Sequence, residues 1–565
     1  MHTKLWPCLL LAAACGGDGR RASDAGDGKP AQPQDAGAAE QRIEAQEFLR
    51  RIAVLASDRF EGRAPGSEGE DLTVEYLVSE FAAAGAAPGN PDGTYVQHVP
   101  LVGFQARPTA GWSRGGAARE LRFPDEYVAL SRTQAPRVEL NDAPLVFVGY
   151  GVDAPEYGWN DYKDVDVRGK LLVMLVGDPP VADPADPTRL DETRFGGRAM
   201  TYYGRWTYKY EVAAAKGASG ALLIHETGPA GYPYEVVSGS WSRENFDLER
   251  DSASPPVVSL EGWLREDVGR ELLAAAGLDF EQLKSAAVRP DFAPRELSGV
   301  RWTARVENSL RKVASRNVAA LVRGSSQPDE LVVYTAHWDH LGNDTSRAGD
   351  GIYNGAVDNA TGVSGLVEMA QAFAAVRPQR SVLLLAVTAE EKGLLGSKWY
   401  AQHPLHSLER TLAVINMDGL NTWGRTRDVE SVGLGNSTLH DTLARHAQDQ
   451  GRVVVPDDEP EKGYFYRSDH FSFARLGVPG LHAGSGKEYL ERPAGWGERM
   501  RDEYVARDYH KPSDEIRAEW DLSGAVEDLR LFFRVGLELA SGADWPTWSP
   551  NAEFRAIREQ RLGAR

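Results

Sequence analysis

Three short apolar segments in the second half of this 565-residue chain each lead into a residue that commonly binds metal. The segments are residues 331–335 before His337, residues 381–387 before Glu390 and Glu391, and residues 412–415 before Asp418. Continuous apolar runs of this length are typical of strands buried on both faces of a parallel sheet. Open sheets of this kind bind ligands at the carboxyl ends of their strands. The sequence therefore predicts an α/β fold, with a mainly parallel central sheet flanked by helices and a ligand site at one edge.

Two further candidate ligands, Asp358 and His510, lie in segments of a different character. Asp358 is flanked by glycines and is followed by apolar residues at helical spacing over residues 363–374. This pattern predicts a helix that ends before Pro378 and begins just after Asp358. His510 lies in the polar segment 509–514. We expect both residues to reach the edge of the sheet where the three strands end.

The candidate ligands favour zinc over hard cations. They comprise two imidazoles and three carboxylates, namely His337, Asp358, Glu391, Asp418 and His510. Magnesium and calcium prefer shells made of oxygen, whereas imidazole suits zinc. With Glu390 beside them, the site gathers four carboxylates, whose mutual repulsion needs compensation. Two divalent ions balance four anions, so we expect two Zn²⁺ per chain.

Adjacent residues Glu390 and Glu391 point to opposite faces of a regular strand. Both can reach one site only if the strand has ended and the backbone turns. We interpret Glu391 as a ligand and Glu390 as the general base, which takes a proton from water whose pKa zinc lowers to roughly 7. Asp339, two residues after His337, is the expected acceptor for the other imidazole nitrogen of that histidine.

Together these motifs resemble the dizinc exopeptidases that include bacterial leucyl aminopeptidase and glutamate carboxypeptidase, in the form that carries a protease-associated domain. The resemblance implies a phosphorylase/zinc-aminopeptidase-like fold and one role for each matching residue. One zinc would be held by His337 and Asp418 and the other by Glu391 and His510, with Asp358 bridging and Glu390 as catalytic base.

The resemblance extends to the segment between the last aspartate and the last histidine. Residues 467–470 and 477–479 are similar to the corresponding family segment. A tyrosine near it helps stabilise the tetrahedral intermediate in relatives, which implies that role for Tyr466 or Tyr464. The peptide between Asp358 and Asn359 is expected to be cis, as is common in such enzymes.

Three other residues near these motifs are predicted to be structural. His340 follows His337 closely, but the family pattern assigns it no ligand role. His470 is expected to support the site rather than to bind metal. For Arg63, in a loop that resembles the family's entrance segment, fixing the loop is favoured over contacting substrate.

A chain of this length exceeds a single core, so we expect more than one domain. The strand and turn pattern changes in the middle of the chain and resembles an inserted, β-rich protease-associated domain. The predicted units are an N-terminal catalytic part at 43–130, the inserted domain at 131–295, the dizinc domain at 296–545 and a polar tail at 546–565.

The first 15 residues form a basic and apolar segment typical of a signal peptide. Its Ala-Ala-Ala-Cys ending resembles a lipoprotein cleavage site at Cys15, and plain secretion is the alternative. Residues 16–42 are rich in Gly, Ala, Asp and Pro and are predicted to be a flexible linker. We therefore expect a bacterial protein exported to the periplasm, the outer membrane or the medium, with membrane contact only through an N-terminal lipid anchor.

A net charge of −19 argues against nucleic acid as a partner. The function that this reasoning favours is a zinc-dependent aminopeptidase that uses a metal-bridging hydroxide and Glu390 to hydrolyse N-terminal residues of peptides. Three alternatives stay open. They are a carboxypeptidase of the glutamate carboxypeptidase type, a glutaminyl cyclase with one zinc, and a receptor-like binding protein without activity.

Overall fold

The computed structural model of the protein describes residues 33–163 and 165–563. The predicted signal peptide, with Cys15, lies outside the described residues, so export and lipid attachment stay predictions. None of the helices in the described part of the chain combines the length and the hydropathy needed to cross a bilayer.

Strands are numbered in chain order through the described residues. They are β1 (Ala87–Pro88), β2 (Val96–Arg114), β3 (Ala117–Glu120), β4 (Tyr127–Leu130), β5 (Arg137–Phe147), β6 (Asp153–Ala154), β7 (Trp159–Asn160), β8 (Leu171–Leu175), β9 (Gly220–His225), β10 (Asn245–Leu248), β11 (Leu260–Arg265), β12 (Arg295–Val322), β13 (Gln327–His337), β14 (Gly342–Asn343), β15 (Ile352–Tyr353), β16 (Arg380–Val387), β17 (Thr411–Asn416), β18 (Asp428–Ser431), β19 (Val453–Pro456) and β20 (Gly480–Ser485).

The α-helices of the same residues are numbered in the same way. They are α1 (Pro33–Glu40), α2 (Ala45–Leu55), α3 (Glu68–Ala83), α4 (Trp206–Ala215), α5 (Thr227–Ala230), α6 (Tyr234–Trp241), α7 (Glu266–Ala275), α8 (Phe280–Ala287), α9 (Gly362–Val376), α10 (Leu395–Gln402), α11 (Leu439–Asp449), α12 (His470–Ala474), α13 (Trp496–Arg507), α14 (Ser523–Ser541) and α15 (Arg555–Gly563).

The three apolar segments singled out above are β13, β16 and β17, which lie side by side in one sheet. β13 pairs in parallel with both β16 and β17, and β17 pairs in parallel with β20. Val387 pairs with His337, and Asn416 pairs with Thr335, so the three strands end at nearly the same level. The predicted sheet edge is therefore confirmed, and the strands bring their following residues to one place.

Helices α9 and α14 cover this part of the sheet. Leu366, Val367 and Phe373 of α9 are buried in one hydrophobic core with Leu529 and Phe533 of α14. The apolar spacing of residues 363–374 predicted α9, which ends at Val376, before Pro378 as expected. Burial of one apolar face of each helix against the strands is what stabilises this α/β arrangement.

A long antiparallel ribbon joins this first core to a second one. β2 and β12 pair continuously from Val96 opposite Val318 to Arg114 opposite Val300. The second core surrounds the parallel strands β5, β8, β9 and β11, with β4 antiparallel at the edge. The protein is thus a mixed α/β structure in which one sheet runs through two separately packed cores.

The second core extends beyond the predicted inserted domain, 131–295, at both ends. Phe104 and Trp112 of β2 and Trp302 and Val306 of β12 are buried in it. The bounds of the predicted domains stay a prediction. The sequence does not divide β2 and β12 between the cores, because alternating burial reveals a strand but does not show which core each half of a long strand enters.

Two segments outside the predicted domains, the linker and the polar tail, pack on the first core or near it. The end of the predicted linker forms α1, in which Ala39 is buried and Glu40 pairs with Arg534. The predicted tail contains α15, and its Trp548 and Phe554 are buried in a small cluster with other aromatic residues. Composition alone misled here, because a segment too polar to form its own core can still dock on an existing one.

Candidate metal centre

The turn after β16 explains how two adjacent glutamates can serve one site. β16 ends at Val387, and Ala389 adopts a positive φ of 53°. That left-handed residue turns the backbone immediately before Glu390 and Glu391, as the sequence predicted. The peptide N–H of Glu390 is held by the Asp339 carboxylate, with Oδ1 accepting at 3.0 Å. Asp339 therefore positions the glutamate pair from the neighbouring strand end.

Asp358 lies in a tight turn between the strands and α9. Gly355 has φ 54°, and a Cβ there would lie 2.2 Å from the Asp358 carbonyl oxygen, so only glycine fits. The Asp358–Asn359 peptide is cis, as the family resemblance implied. The Asn359 side chain donates to the Met417 carbonyl at 3.0 Å and accepts from Gly419 N–H at 3.1 Å. These bonds tie the Asp358 turn to the residues on either side of Asp418.

The five predicted ligands come together as two imidazole–carboxylate sets. In the first, His337 Nε2 lies 3.3 Å from Asp358 Oδ1 and 3.2 Å from Asp418 Oδ1. In the second, His510 Nε2 lies 3.2 Å from Asp358 Oδ2 and 3.2 Å from Glu391 Oε2. Asp358 uses one carboxylate oxygen for each set, so it stands between the two.

His340, to which the sequence assigned no ligand role, lies next to Glu391 of the second set. It is fully buried, and its Nδ1 lies 2.7 Å from Glu391 Oε1. Neither atom has the directional geometry of a hydrogen bond, and both are buried. His340, Asp358 and Glu391 offer ligand atoms within 4.8 Å of one another. The position of His340 follows from the strand end it shares with His337, and only the fold shows that its ring faces Glu391.

Mutual attraction dominates the electrostatics of the two sets. Burial opposes the charged form of His337, yet the negative charges of Asp418 and Glu390 raise the pKa of this residue well above its ordinary value. Burial likewise opposes ionisation of Asp358, but its contacts with His337 and His510 hold its pKa well below the usual range. Burial disfavours the charged form of His510 as well. The negative charge of Glu391 outweighs burial, so the pKa of His510 rises to about 9. Each set therefore holds its carboxylates ionised.

Glu390 behaves in the opposite way. Burial, followed by the charges of Asp418, Asp469 and Glu391 and offset in part by His337, raises the pKa of Glu390 well above its ordinary value. Burial also raises the pKa of Asp469 to about 7. A carboxyl group that binds a proton more readily than its neighbours is suited to proton transfer rather than to metal binding.

The donor set fits a pair of divalent cations. Imidazole nitrogens and carboxylate oxygens converge in two groups that share Asp358, and the buried Glu391 Oε1 and Asp339 Oδ2 have no hydrogen-bond partner among the described residues. Buried carboxylates outnumber the imidazoles, and uncompensated buried charge is costly. Cations bound between these groups would offset the repulsion and supply a partner for Glu391 Oε1.

Asp339 contacts His337 through a different atom from the one expected. His337 Nδ1 lies 3.0 Å from the main-chain oxygen of Asp339, whereas the nearest Asp339 carboxylate oxygen is 3.8 Å away. The carbonyl therefore accepts from Nδ1–H and fixes the tautomer that leaves Nε2 free for metal. The carboxylate is left to hold the Glu390 N–H.

The structure places Tyr466 away from the two sets and Tyr509 against them. The Tyr466 hydroxyl donates to Glu553 Oε2 at 2.6 Å, inside the small aromatic cluster near the chain end. Tyr509 stacks on the His510 ring, with centroids 3.9 Å apart. Burial, then the charges of Asp358 and Glu391, raise the pKa of Tyr509 well above its ordinary value. Tyr464, the other candidate, is exposed and hydrogen-bonds Glu459 at 3.3 Å.

Sequence reasoning attached no role to Glu553, because the tail carries no motif. The aromatic residues around Tyr466 did not predict its contact with Glu553 either. The Tyr509 signal was available, since Tyr509 directly precedes a predicted ligand.

Asp514 connects the turn that carries His510 to the turn that carries Asp358. Its carboxylate accepts from the N–H groups of Val357 and Asp358, each at 3.1 Å. His510 has φ 58°, a left-handed conformation that this short turn holds in place. Burial raises the pKa of Asp514 to about 6. The two ligands, about 150 residues apart in the chain, are thus aligned by one side chain.

Arg63 fixes the loops beneath the site, as the sequence favoured. It is buried and donates to the carbonyls of Trp338, at 2.8 Å, and Gly355, at 2.9 Å. These carbonyls directly follow His337 and precede the Asp358 turn. On the far side, the Ser468 hydroxyl donates to Asp418 Oδ2 at 2.7 Å. His470 is buried and stacks on His482, with centroids 5.1 Å apart.

Comparisons with known proteins agree with this geometry. The profile of Peptidase family M28 matches residues 317–533, which contain all five predicted ligands and Glu390. A probable zinc metalloprotease of Pyricularia oryzae is 27% identical over 257 residues, covering 40% of this chain and 49% of that protein. Aminopeptidase NAALADL1 of Mus musculus is 33% identical over 120 residues, covering 20% of this chain and 15% of that protein.

Among solved structures, an aminopeptidase from Aneurinibacillus sp. strain AM-1 aligns over 91% of this chain and 98% of its own, with 17% identity and a TM-score of 0.49. The chain spans about half or less of the length of the two curated relatives it matches. The segment that does match carries the whole two-set arrangement around Asp358. Residues 317–533 are therefore similar to peptidase family M28.

Proposed function

We propose that the protein is a zinc-dependent exopeptidase, and specifically an aminopeptidase that hydrolyses the N-terminal residues of peptides. One observation carries the proposal: Asp358 directs its two carboxylate oxygens at two different imidazoles, 3.3 Å and 3.2 Å away, each paired with a further carboxylate. The family of residues 317–533 supports a peptidase, and the names of two relatives support zinc and an aminopeptidase.

Two zinc ions would be held by the two sets. His337 and Asp418 would hold one ion, Glu391 and His510 the other, and Asp358 would bridge them. Zinc is favoured because each set includes an imidazole. When bound, a zinc pair lowers the pKa of water and polarises a carbonyl oxygen.

We assign the proton transfer during hydrolysis to Glu390, which directly precedes the candidate ligand Glu391. Its carboxylate would accept a proton from the attacking water as the water oxygen bonds to the peptide carbon. It would then pass that proton to the amide nitrogen as the C–N bond breaks, which releases an amine and a carboxylic acid. The raised pKa of Glu390, caused first by burial, suits a group that must both take and release a proton.

Tyr509 is the tyrosine best placed to assist. Its ring lies on His510, and it remains 43% exposed, so a substrate can reach it. Its raised pKa keeps the hydroxyl protonated at neutral pH, so that it can donate to a developing oxyanion. We propose Tyr509 for the role that the sequence suggested for Tyr466.

We also propose that the second core is a protease-associated domain that forms one wall of the substrate cleft. Several contacts join it to the family M28 segment. Arg475 pairs with Glu211 of α4 at 2.9 Å, and Met200 N–H donates to the Pro460 carbonyl at 3.0 Å. Tyr202 packs on Phe471, with ring centroids 5.2 Å apart. These contacts lie beside Ser468, which itself contacts Asp418.

The test compares leucyl p-nitroanilide with its N-acetyl derivative, and a peptide whose C terminus is amidated with a peptide that is N-acetylated and has a free C terminus. We expect hydrolysis of the free-amine substrates only, loss of activity with 1,10-phenanthroline, and recovery on adding Zn²⁺. Elemental analysis should give two zinc ions per chain. Cleavage of the N-acetylated peptide from its free C terminus would instead indicate a carboxypeptidase. One tightly bound zinc would contradict the bimetallic site.

A further inference from the structure

The tail, residues 546–563, follows the metal-bearing segment, residues 317–533, and packs on it. Arg558 of α15 is buried and donates to the carbonyls of Leu408, at 3.1 Å, and Thr411, at 2.8 Å. Both acceptors belong to the metal-bearing segment. The tail is therefore anchored to the part of the protein that carries the metal centre.

Aromatic side chains of the tail enter a cluster to which both sides of the border between the cores contribute. Trp548 and Phe554 of the tail are buried there with Phe465 and Phe471 of the metal-bearing segment, and Tyr202, which precedes α4 of the second core, packs against them. The Phe471 ring centre lies 6.1 Å from that of Phe554 and 5.2 Å from that of Tyr202. The tail thus meets both cores in one apolar cluster.

One carboxylate of the tail accepts a hydrogen bond from each side of this border. Glu553 Oε1 accepts from the Tyr202 N–H at 2.9 Å, and Glu553 Oε2 accepts from the Tyr466 hydroxyl at 2.6 Å. The rings of Tyr202 and Tyr466 lie 5.9 Å apart. The negative charge of a carboxylate strengthens the hydrogen bonds that it accepts. Glu553 therefore links the tail to the second core and to the metal-bearing segment at once.

The same cluster borders two turns of the metal centre. Tyr466 lies two residues before Ser468, whose hydroxyl donates to the ligand Asp418 at 2.7 Å. Leu394 packs against the cluster, and its N–H donates to the Glu390 carbonyl at 2.9 Å. The position of the cluster therefore affects how the second core stands relative to the ligands and the base.

The chain alone does not fix the second core beside the metal centre. The ribbon of β2 and β12 joins the two cores. Interfaces between separately packed cores of one chain are usually modest, so relative motion is the default expectation. Contacts across the border decide where the second core stands, and the tail adds such contacts from a segment outside both β2 and β12.

We propose that the tail is a strap that holds the second core beside the metal centre, and that Glu553 is the positioning residue where the strap meets both. Glu553 acts through Tyr202 and Tyr466 and does not touch the substrate. The strap itself is independent of the proposed function. Its effect on peptide binding rests on that function, because it requires the second core to form a wall of the substrate cleft.

The first test measures backbone hydrogen exchange in the full-length, zinc-loaded protein without substrate. Glu553→Gln keeps the size of the side chain, but its amide nitrogen cannot accept a hydrogen bond. We expect exchange at residues 198–205 to quicken by about tenfold. This factor is near the lower end for the loss of a hydrogen bond to a charged group, because Glu553 lies at the surface.

Two further variants identify the contact. Tyr466→Phe removes the hydroxyl that donates to Glu553, so the double variant Glu553→Gln/Tyr466→Phe should exchange at nearly the rate of Glu553→Gln alone. Glu559→Gln is the matched control, because it changes an exposed glutamate of the same tail that pairs with Arg555. Exchange in this control should keep its wild-type rate.

The activity test compares leucyl p-nitroanilide with a pentapeptide that begins with leucine. The pentapeptide extends well beyond the cleaved bond and can contact the second core. Glu553→Gln should raise KM for the pentapeptide by up to about tenfold, the factor by which docking weakens, and leave kcat on leucyl p-nitroanilide unchanged. A residue that only stabilises the fold would not separate KM from kcat in this way.

Four results would count against the proposal. Wild-type exchange in Glu553→Gln would overturn the strap, and an additive effect in the double variant would show that Glu553 and Tyr466 do not act through one bond. If the variants do not fold, exchange of residues 198–205 in the wild-type protein at the rate of an unfolded peptide would overturn it equally. Faster exchange with unchanged KM would refute Glu553 as a positioning residue.

Failure of the proposed function has a different signature. A wild-type protein that cleaves neither substrate would contradict the peptidase, whereas the exchange measurements need no substrate and would still decide whether the strap exists.

Discussion

The metal centre and the second core each bury a group of charged side chains, but they treat these charges differently. In the second core, Lys209 lies among Asp161 and Asp178. Its Nζ donates to the carbonyls of Tyr150, at 2.6 Å, and Gly177, at 3.0 Å. Both aspartates are also satisfied: Asp178 accepts two hydrogen bonds from Thr201, each at 2.7 Å.

At the metal centre, by contrast, several buried carboxylate oxygens have no hydrogen-bond partner among the described residues. Asp469 has neither carboxylate oxygen in a hydrogen bond among the described residues, and Glu391 and Asp339 have one unpartnered oxygen each. Imidazoles partly offset the carboxylates of the two sets. A buried charged group that the chain satisfies by itself indicates a structural role, whereas one left with surplus charge indicates a missing ligand. The comparison yields predictions for four variants, given from the largest expected effect to the smallest.

Glu390→Gln should remove activity without removing metal. The amide keeps the shape of the side chain but cannot accept the proton, so kcat should fall by about 10²- to 10⁴-fold. Zinc content by elemental analysis should stay at the wild-type value, because Glu390 is not assigned as a ligand. Glu503→Gln, an exposed glutamate of α13, is the matched control. An active Glu390→Gln enzyme would exclude Glu390 as the base.

Lys209→Met should damage stability rather than chemistry. Removing the one cation of the buried group leaves Asp161 and Asp178 uncompensated, which should lower the free energy of unfolding by about 3–5 kcal/mol. Lys216→Met, at a partly exposed pair with Asp153, should cost less than about 1 kcal/mol. Urea unfolding at pH 8 measures both. Equal losses of unfolding free energy in the two variants would show that the buried charges around Lys209 do not have the structural role that distinguishes them from the metal centre.

The same Lys209 variant has a defined pH dependence. Burial raises the pKa of Asp178 to about 7 and of Asp161 to about 6 in the native protein. A carboxyl group whose pKa is raised on folding costs no stability while it is protonated in both states, and its cost grows as pH rises from the unfolded pKa to the folded pKa. The stability deficit of Lys209→Met should therefore shrink as pH falls from 8 to 5. A deficit that grows on acidification would be contrary to this assignment.

Zinc should stabilise the chain through the metal centre. At a free concentration 100-fold above the dissociation constant, a ligand that binds only the native state adds about 2.7 kcal/mol. Metal-free wild-type protein should gain this stability, seen as a rise in Tm, when Zn²⁺ is added. Asp358→Asn should gain little, because both sets lose their shared carboxylate, and its zinc content should fall. Undiminished zinc in this variant would count against Asp358 as the bridge.

Asp514→Asn should have the smallest effect of the four. It weakens the hydrogen bonds that align the Asp358 turn with the His510 turn, and the loss of such a supporting group usually costs about 10- to 100-fold in metal affinity or activity. Competition with a chromogenic chelator measures the affinity. Asp502→Asn, at an exposed position of α13, serves as the control. Wild-type affinity in Asp514→Asn would show that the turns hold without this link.

Much of the first region followed from local patterns in the sequence. The strands ending at His337 and before Glu390 and Asp418 were visible as apolar runs, because burial on both faces demands apolar residues throughout. Adjacent glutamates in one site required a turn, and Ala389 supplies it with φ 53°. Less of the second region followed, since its core takes parts of β2 and β12 whose sequence shows only alternation.

By itself, the sequence determined the strands, the helix after Asp358 and the set of residues able to bind metal, because these depend on the spacing and type of near neighbours. Only the tertiary structure decided that His340 faces Glu391 and that Tyr509 rather than Tyr466 lies on the site. These contacts join segments from different elements. Their distances depend on how whole helices and strands pack, and no local pattern encodes that packing.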